Sequence, residues 1–352
     1  MRFIHTGDIH LGATPESKRP WAANRGDEIW NTLERLIKKI KIDPVDLLII
    51  AGDMFHRQPL LRELKEVDYL FSTIPDTKVV LCAGNHDAIK KGSFYDGFKW
   101  SENVIFLGDK NIESVEIPEL NTCVYGLSYH QTEIKDAMYD HVIVDRPDMI
   151  NILVAHGGDE KHIPINRKKL AMSGFDYVAM GHIHKPDEKM KMAYSGSLEP
   201  IDMNDIGPRG YIYGEISKRG LELEFVPFAK RIYRELDFTV TPTATNLEIR
   251  HRLIDMIKEQ GQDDMYKITF SGYRDPDFDI DVSDIEGVGN VVSVIDNTVP
   301  DYDFEELYAE NKDNILGMYI KKFLDRESLT PLQRKTLYYG TKALMDAMED
   351  RV

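Results

Sequence analysis

Side chains that commonly bind divalent metal ions follow five separate apolar segments of the sequence. They are Asp8 and His10, Asp53, Asn85 and His86, His156, and His182 and His184. A single Asp-x-His pair would carry little weight, because chance and core packing produce many such pairs. Five groups in succession, each directly after an apolar segment, predict a shared site rather than five unrelated structural histidines.

The mixture of carboxylate, amide and imidazole groups predicts a centre of two divalent metal ions. These ligands suit octahedral manganese or iron better than tetrahedral structural zinc, so we expect manganese, with iron, magnesium or zinc as alternatives. Two dications about 3.5–4 Å apart need a bridging ligand, and Asp53, alone after its segment, is the predicted bridge. We expect Asp8, His10 and His184 to complete one metal site and Asn85, His156 and His182 to complete the other.

The charge of this ligand set favours an anionic substrate. Only Asp8 and Asp53 are anionic, so a centre with a bridging hydroxide keeps a net positive charge and attracts a phosphodiester. Asn85 contributes to this balance because an amide oxygen binds metal without adding negative charge. Two such ions lower the pKa of a shared water and polarise a phosphoryl oxygen.

His86 and Asp87 stand beside the predicted ligand Asn85 in the motif Gly-Asn-His-Asp. We expect His86 to hydrogen-bond the phosphate or to protonate the leaving oxygen. Asp87 is a further candidate catalytic residue, which would orient His86, and simple exposure to solvent is the alternative for Asp87.

The segments that precede these residues read as short strands of an α/β fold. Residues 47–51, 79–83, 151–155 and 177–180 are nearly continuous in apolar residues, as buried parallel strands are. Residues 2–10 read as a further strand. Helical spacing of apolar residues over 29–40 and 61–72 places helices between the first three strands in chain order. Since parallel strands end at one edge of a sheet, all five groups should meet there. His5 faces away from Asp8 and is predicted to pack in the core.

The remainder of the chain divides into three predicted regions. Strands with glycine turns over residues 193–227 indicate an antiparallel return at the sheet edge, so the first domain spans residues 1–230. A strand, a helix and two strands over residues 233–295 predict a small α/β capping domain at 231–300. Residues 301–352 are predicted to be helical, and their apolar stripes could dock on a partner, form a homodimer or pack on the second domain.

Composition limits the class of protein. The chain has 352 residues and a net charge of −16, which argues against a dedicated nucleic-acid binder. The charge is uneven, because residues 275–310 contain no lysine or arginine. Basic residues cluster elsewhere at Lys161, Arg167, Lys168 and Lys169, and at Lys185, Lys189 and Lys191. The sequence is therefore compatible with either a local basic surface or an ordinary surface of mixed charge.

The apolar segments and the cysteines predict the cellular location of the protein. No apolar run reaches the roughly 18 residues of a membrane helix, and the first strand begins too early to leave room for a signal peptide. Cys82 and Cys123 lie in apolar segments and are predicted to be buried free thiols. We therefore expect a cytoplasmic protein without a membrane partner.

The motifs Asp-Ile-His, Gly-Asp-Met-Phe-His, Gly-Asn-His-Asp, Ala-His-Gly-Gly and Gly-His-Ile-His resemble those of the calcineurin-like metallophosphoesterases. The resemblance implies a two-sheet β-sandwich flanked by helices. A narrower similarity is to the SbcD-type DNA double-strand-break repair nucleases. It rests on the sequences at residues 52–56 with Pro59, at 194–197, and at 227–233 before a small second domain. The helical end resembles the shorter bacterial branch of these exonucleases.

This resemblance implies a hydrolase that cleaves DNA as an exonuclease and an endonuclease, in DNA repair and recombination. It also implies that His56 is a second substrate-facing histidine. The alternative is that His56 is an ordinary, partly buried loop residue. It also implies a partner ATPase of the SbcC type with a coiled coil. The chain itself contains no Gly-x-x-x-x-Gly-Lys-Ser/Thr phosphate loop, so any ATP-driven step must come from another chain.

Two other functions fit parts of this pattern. A phosphatase or phosphodiesterase for a small molecule or a protein would use the same metals. A non-catalytic scaffold is less favoured, because every expected ligand is present. The other histidines, His130, His141, His162 and His251, have no partner pattern and are predicted to be ordinary surface or core residues, although the loops of His130 and His162 are weak candidates for a DNA-facing rim.

Overall fold

The computed structural model describes residues 1–326 and 328–349. The chain divides into two compact units, Met1–Tyr233 and Arg234–Val352. The domain boundaries that the sequence predicts at residues 230 and 300 stay a prediction. Within the part of the chain that the structure describes, no helix combines the length and apolar character that crossing a bilayer requires.

The first unit contains twelve strands and three α-helices. The strands are β1 (Arg2–Thr6), β2 (Leu47–Ala51), β3 (Lys78–Cys82), β4 (Val104–Phe106), β5 (Glu113–Ile117), β6 (Thr122–Gly126), β7 (Ile150–His156), β8 (Tyr177–Gly181), β9 (Asp187–Lys189), β10 (Met192–Tyr194), β11 (Gly210–Ser217) and β12 (Gly220–Pro227). The helices are α1 (Arg25–Ile42), α2 (Leu61–Ser72) and α3 (Arg167–Ala171).

These strands form two mixed six-stranded sheets. The first has the order β12-β11-β1-β2-β3-β4, and the second has the order β5-β6-β7-β8-β10-β9. In the first sheet β1 to β4 are parallel, and β11 and β12 return antiparallel at the edge, as predicted. The prediction is wrong for the start of its range, because β10 pairs parallel with β8 in the second sheet. In the second sheet β6, β7, β8 and β10 are parallel, and the outer pairs are antiparallel.

The sheets pack face to face with helices on the outer side of the first sheet. Phe3, Ile49 and Val80 of the first sheet share one buried core with Ile152 and Ala179 of the second. The opposite face of β2 packs on the apolar stripes of α1 and α2, among them Leu33, Leu36, Leu64 and Phe71. Both faces of β2 are thus covered, which explains its continuous apolar sequence. The two-sheet sandwich flanked by helices is confirmed.

The three residues whose burial was predicted are buried in the first unit. His5 lies between the sheets, fully buried, and its Nδ1 is 2.8 Å from the hydroxyl of Tyr177. Burial lowers the pKa of His5 to about 3. Cys82 and Cys123 are both buried free thiols, as the sequence predicts.

A buried charge network fastens the end of the first unit to α1. Glu28 on α1 accepts hydrogen bonds from Arg25 at 2.6 Å, from Lys230 at 3.0 Å and from Arg231 at 2.6 Å. Arg25 is fully buried and donates to the carbonyl oxygen of Pro200 at 2.8 Å. The chain is therefore held in place by ion pairs just before it enters the second unit.

The second unit contains a small α/β region followed by helices, as predicted. Its elements are β13 (Tyr233–Val240), α4 (Asn246–Gln260), β14 (Met265–Arg274), α5 (Val282–Glu286), β15 (Val291–Asp296), β16 (Val299–Pro300), α6 (Phe304–Glu310), α7 (Ile315–Leu324) and α8 (Pro331–Glu349). Strands β13, β14 and β15 form a sheet whose core includes Leu253 of α4. In the helical end, Leu316 and Ile320 of α7 form a buried cluster with Leu337 of α8.

Candidate metal centre

The five predicted groups meet at one rim of the sandwich. Asp8, Asp53 and Asn85 follow β1, β2 and β3 of the first sheet, while His156 ends β7 and His182 follows β8 of the second. The imidazole of His156 joins the two sheets, since its Nδ1 lies 2.9 Å from the carbonyl oxygen of Ala51 at the end of β2. The order of strands thus brings together residues that are far apart in sequence.

The loops that carry these residues have unusual backbone conformations. Asp8, His10, Asp53 and His182 are not glycines, yet their φ angles are 49°, 53°, 48° and 93°. Left-handed backbone is uncommon for such residues and concentrates at functional sites. It persists here because the loops after β1 and β2 are joined, with the amide of His10 donating to the carbonyl oxygen of Asp53 at 3.0 Å.

Two glycines make room for the side chains of the centre. A Cβ atom at Gly52 would overlap the ring of His156, and one at Gly84 would overlap the carboxylate of Asp53. Gly52 also has a φ of 83°, which favours glycine over any other residue. The glycines in the Gly-Asp and Gly-Asn-His-Asp motifs are therefore required by close packing against the side chains of His156 and Asp53, two candidate ligands.

Asp8, His10 and His184 form the first group of candidate ligands. One donor atom from each lies within 4.8 Å of the others. The Nε2 atoms of His10 and His184 are 3.2 Å apart and face each other. The Asp8 carboxylate is held in place by the amide of His182, which donates to its two oxygens at 3.0 and 2.8 Å.

Asp53, Asn85, His156 and His182 form the second group. The amide oxygen of Asn85 lies 3.0 Å from His156 Nε2 and 3.1 Å from His182 Nδ1. Asp53 Oδ2 lies 3.4 Å from His156 Nε2. These atoms converge on one point from four separate loops.

Asp53 lies between the two groups. Its Oδ2 is 3.8 Å from His10 Nε2 in the first group and 3.4 Å from His156 Nε2 in the second. Its Oδ1 instead accepts the amide hydrogen of His86 at 2.9 Å, which fixes the orientation of the carboxylate. Oδ2 is thus placed as a bridging ligand between two neighbouring ions would be.

The donor set fits two divalent cations. Neighbouring ligands of an octahedral ion with bonds near 2.1 Å lie about 3 Å apart, and several of these donor pairs have that separation. The remote ring nitrogens are held by oxygen acceptors, because His156 Nδ1 lies 2.9 Å from the Ala51 carbonyl and His184 Nδ1 lies 3.2 Å from Asp205 Oδ2. Such outer contacts orient metal-ligating histidines and leave the inner nitrogen free to bind.

The pKa values of the ionisable groups in this centre indicate that the protein alone lacks positive charge there. Burial raises the pKa of Asp8 to about 6, although His156 and His184 oppose this. Burial also acts to raise the pKa of Asp53, but His156 and His10 outweigh it and hold that pKa well below its usual range. In turn Asp53 overcomes the effect of burial on His156 and raises its pKa to about 9. A bound cation would supply the same positive charge in place of that proton.

His56 and His86 stand on the exposed side of this group. Their rings are stacked with centroids 5.1 Å apart, and the ring of His86 lies 4.8 Å from that of His10. His86 Nδ1 is 3.2 Å from the carbonyl oxygen of His56, while His56 Nδ1 is 3.4 Å from His10 Nδ1. Both candidate substrate-facing histidines are therefore beside the candidate ligands and open to solvent.

Asp87 occupies a different position. Exposure to solvent, the alternative considered for it, is wrong, because Asp87 is fully buried. Its carboxylate accepts from the amides of Gly84 at 2.8 Å and Phe55 at 3.2 Å and from the hydroxyl of Tyr95 at 3.0 Å. These bonds join the loop after β3 to the loop after β2. None of these three partners is His86, and the assignment of Asp87 as a catalytic residue stays a prediction.

Comparison with known proteins agrees with this geometry. Residues 1–186 match the family model for the calcineurin-like phosphoesterases, which is more than half of the chain. The chain belongs to this family. Its two-sheet fold is that of a metallophosphoesterase.

Several curated relatives of this phosphoesterase have modest sequence identity. The DNA double-strand break repair protein Mre11 of Methanopyrus kandleri is 26% identical over 64% of this chain and 56% of the relative. The uncharacterized metallophosphoesterase YhaO of Bacillus subtilis is 26% identical over 64% of the chain and 60% of the relative. A subunit of the nuclease SbcCD of Staphylococcus saprophyticus is 25% identical over 64% of the chain and 69% of the relative. The match thus spans little more than half of the first two relatives.

Two acidic residues of the phosphoesterase centre have no signal in the sequence pattern. Asp205 contacts His184, and Asp159 lies 2.7 Å from His182 Nε2. Both lie in loops without hydrophobic periodicity, so only the folded structure shows that they contact His184 and His182, two candidate metal ligands. His162, predicted to be an ordinary residue, also faces this region, with its ring 4.5 Å from that of His182.

In the first of the two basic clusters, at residues 161–169, three of the four basic side chains pair with acidic residues. Arg167 pairs with Asp187 at 2.6 Å, Lys169 pairs with Asp140 at 3.1 Å, and Lys161 approaches Glu133 at 3.8 Å. Of the two alternatives left open by the sequence, these contacts favour a mixed surface around the phosphoesterase site.

Proposed function

We propose that this phosphoesterase is a metal-dependent DNA nuclease, with exonuclease and endonuclease activity, that hydrolyses phosphodiester bonds in DNA repair and recombination. The observation that carries the proposal is the placement of Asp53 Oδ2 between two groups of nitrogen and oxygen donors at an exposed rim. DNA as the substrate is supported by the relatives named as the repair protein Mre11 and as a subunit of the nuclease SbcCD.

Seven residues would hold the two ions, for which manganese is our first choice and iron, magnesium or zinc are the alternatives. The residues are Asp8, His10 and His184 on one side, Asn85, His156 and His182 on the other, and Asp53 between them. When bound, the ions lower the pKa of a shared water and polarise the phosphoryl oxygen. The Asn85 amide limits the negative charge of the ligand set, which favours an anionic substrate.

His86 is the proposed acid beside the leaving oxygen. With its Nδ1–H donating to the carbonyl oxygen of His56, the ring presents Nε2 to a substrate at the rim. A proton on Nε2 can hydrogen-bond the phosphate and then pass to the leaving oxygen. The ring of His56 is stacked on this ring, and His56 is proposed to hold the same phosphate from the neighbouring loop.

We also propose that the protein works in the cytoplasm with an SbcC-type ATPase that has a coiled coil, and that it forms a homodimer. The helices of the second unit support a binding role, since Met318, Leu332 and Tyr339 are 57%, 75% and 73% exposed. Sedimentation of the chain alone and mixed with such an ATPase tests both assemblies. A monomer that does not shift on addition of the ATPase would contradict them.

The test of the central proposal is cleavage of end-labelled linear DNA by the purified chain with and without Mn²⁺. An aryl phosphodiester is assayed in parallel, because a small-molecule phosphodiesterase would hydrolyse it and leave the DNA intact. We expect DNA cleavage that requires added metal and that Asp53→Asn abolishes. Hydrolysis of the aryl phosphodiester with no cleavage of DNA would refute the nuclease assignment.

A further inference from the structure

The loop that follows His156 is tightly bent beside the metal centre. Gly157 and Gly158 have φ angles of 143° and 134°, and a Cβ at Gly158 would overlap the hydroxyl of Tyr194. Ile163, a β-branched and fully buried residue, has a φ of 41°. Such a conformation is a genuine outlier for isoleucine and persists only where the surroundings enforce it. A loop that only connected β7 to α3 would not need this strained backbone, so the bend must serve another purpose.

The result of this bend is the position of Asp159. Its Oδ1 accepts from the amides of Lys161 at 2.7 Å and His162 at 2.9 Å, which fixes the carboxylate within the loop. Its Oδ2 then lies 2.7 Å from Nε2 of His182. The side chain is 46% exposed, so this carboxylate approaches the candidate ligand from the solvent side.

His182 differs from His156 and His184 in the ring nitrogen that it presents to the centre. His156 and His184 point Nε2 inward, and their Nδ1 atoms are held by the Ala51 carbonyl and by Asp205. His182 points Nδ1 inward, 3.1 Å from Asn85 Oδ1. A neutral imidazole has one N–H and one lone pair, so the nitrogen that donates outward determines which nitrogen can bind metal.

We propose that Asp159 is a positioning residue of the metal centre. It accepts the Nε2–H of His182 and thereby fixes the tautomer whose Nδ1 binds the ion on the Asn85 side. Asp159 thus has the role for His182 that Asp205 has for His184, although the two carboxylates come from unrelated loops. The inference rests on the metal centre of the proposed function and does not depend on DNA being the substrate.

His162 supports this arrangement from the other side of the carboxylate. Its Nδ1 lies 2.8 Å from Asp159 Oδ2, so one carboxylate accepts from two rings. The alternative is a third ion held by Asp159, His162 and His182, whose donor atoms lie within 4.8 Å of one another. That ion would require both nitrogens of His182 to be deprotonated at once, which makes the hydrogen bond the better interpretation.

The test compares Asp159→Ala, Asp159→Asn and, as a matched control, Glu160→Gln in the full chain. Binding of Mn²⁺ is measured by isothermal titration calorimetry, after circular dichroism has established that each variant is folded. We expect Asp159→Ala to weaken one of the two ions by roughly 10- to 100-fold and to leave the other unchanged. Asp159→Asn keeps an oxygen acceptor and should retain most of the affinity. Glu160→Gln removes the neighbouring charge and should bind as the unchanged protein does.

The tautomer itself is measured by ¹⁵N NMR of the metal-free protein with labelled histidine. The resonances of His182, assigned with a His182→Gln variant, should report a protonated Nε2 in the unchanged protein and a tautomer mixture in Asp159→Ala. Equal affinity for both ions in Asp159→Ala would overturn the inference. Three ions in the unchanged protein and two in Asp159→Ala would overturn it in favour of a third site. Failure to cleave DNA, with Mn²⁺ binding still dependent on Asp159, would reject the nuclease and support the positioning role.

Discussion

Replacing Asn85 by aspartate separates metal binding from catalysis. The side chain has the same size and keeps an oxygen where the structure places it, 3.0 Å from His156 Nε2 and 3.1 Å from His182 Nδ1. It adds one negative charge to the ligand set. We therefore expect Asn85→Asp to bind both ions at least as tightly as the unchanged protein and to hydrolyse its anionic substrate more slowly.

The size of the effect follows from the charges of the centre. Two dications carry four positive charges, and the carboxylates of Asp8 and Asp53 with a bridging hydroxide carry three negative ones. The additional carboxylate removes the remaining net charge. One unit charge at about 4 Å from the phosphate is worth about 4 kcal/mol at an effective dielectric constant of 20. Asn85 is half-buried, and screening by solvent reduces this to about 2–3 kcal/mol, or roughly 30- to 150-fold in kcat/KM.

The assay measures kcat/KM on linear DNA at saturating Mn²⁺, together with the Mn²⁺ affinity by calorimetry. Asn85→Ala is the control, because it removes the ligand without adding charge and should weaken the ion on the Asn85 side. An Asn85→Asp protein that binds both ions and cleaves as fast as the unchanged protein would refute the charge argument. The amide would then be needed only as a ligand.

Three further outcomes are expected. His86→Gln should slow cleavage by roughly 100-fold or more and leave the Mn²⁺ isotherm unchanged, because the role proposed for His86 is to protonate the leaving oxygen and not to bind the ions; loss of an ion would contradict this role. Asp53→Asn should weaken both ions, since Oδ2 lies between the two groups, and loss of only one would contradict the bridge. Burial acts to raise the pKa of Glu28, but Arg231, Arg25 and Lys230 outweigh it and lower that pKa from 4.5 to about 2. The stabilisation is therefore complete above about pH 4.5 and lost towards pH 2, and urea unfolding of Glu28→Gln should lack this acid-dependent loss.

The strand ends could be predicted because their signals are local. An apolar segment followed by a glycine and a polar residue marks the end of a buried strand, and parallel order places such ends together. This reasoning located Asp8, Asp53 and Asn85 at one rim, where the structure places them. The edge hairpin of β11 and β12 could also be predicted from a local signal, the glycine turns within residues 193–227.

The outer contacts of the histidines could not be predicted because they depend on loop geometry. Asp159 and Asp205 lie in irregular segments, and nothing in their neighbours' periodicity indicates that they face His182 and His184. Asp87 shows the converse case. Its neighbour His86 is exposed, but the Asp87 side chain points inward and accepts a hydrogen bond from the backbone of the loop after β2. A run of polar residues in the sequence does not indicate which of them points inward.

The ion pairs of Glu28 determine where this chain can be cut. Lys230 and Arg231, which lie just before the division of the chain after Tyr233, supply two of the cations around Glu28. A fragment that ends at Pro227 lacks both and leaves Glu28 with Arg25 alone, and removal of partners from a buried charge costs several kcal/mol. A fragment that ends after Tyr233 keeps the whole network. The last residues before the boundary are therefore part of the folding unit of the phosphoesterase, and not a linker that can be trimmed.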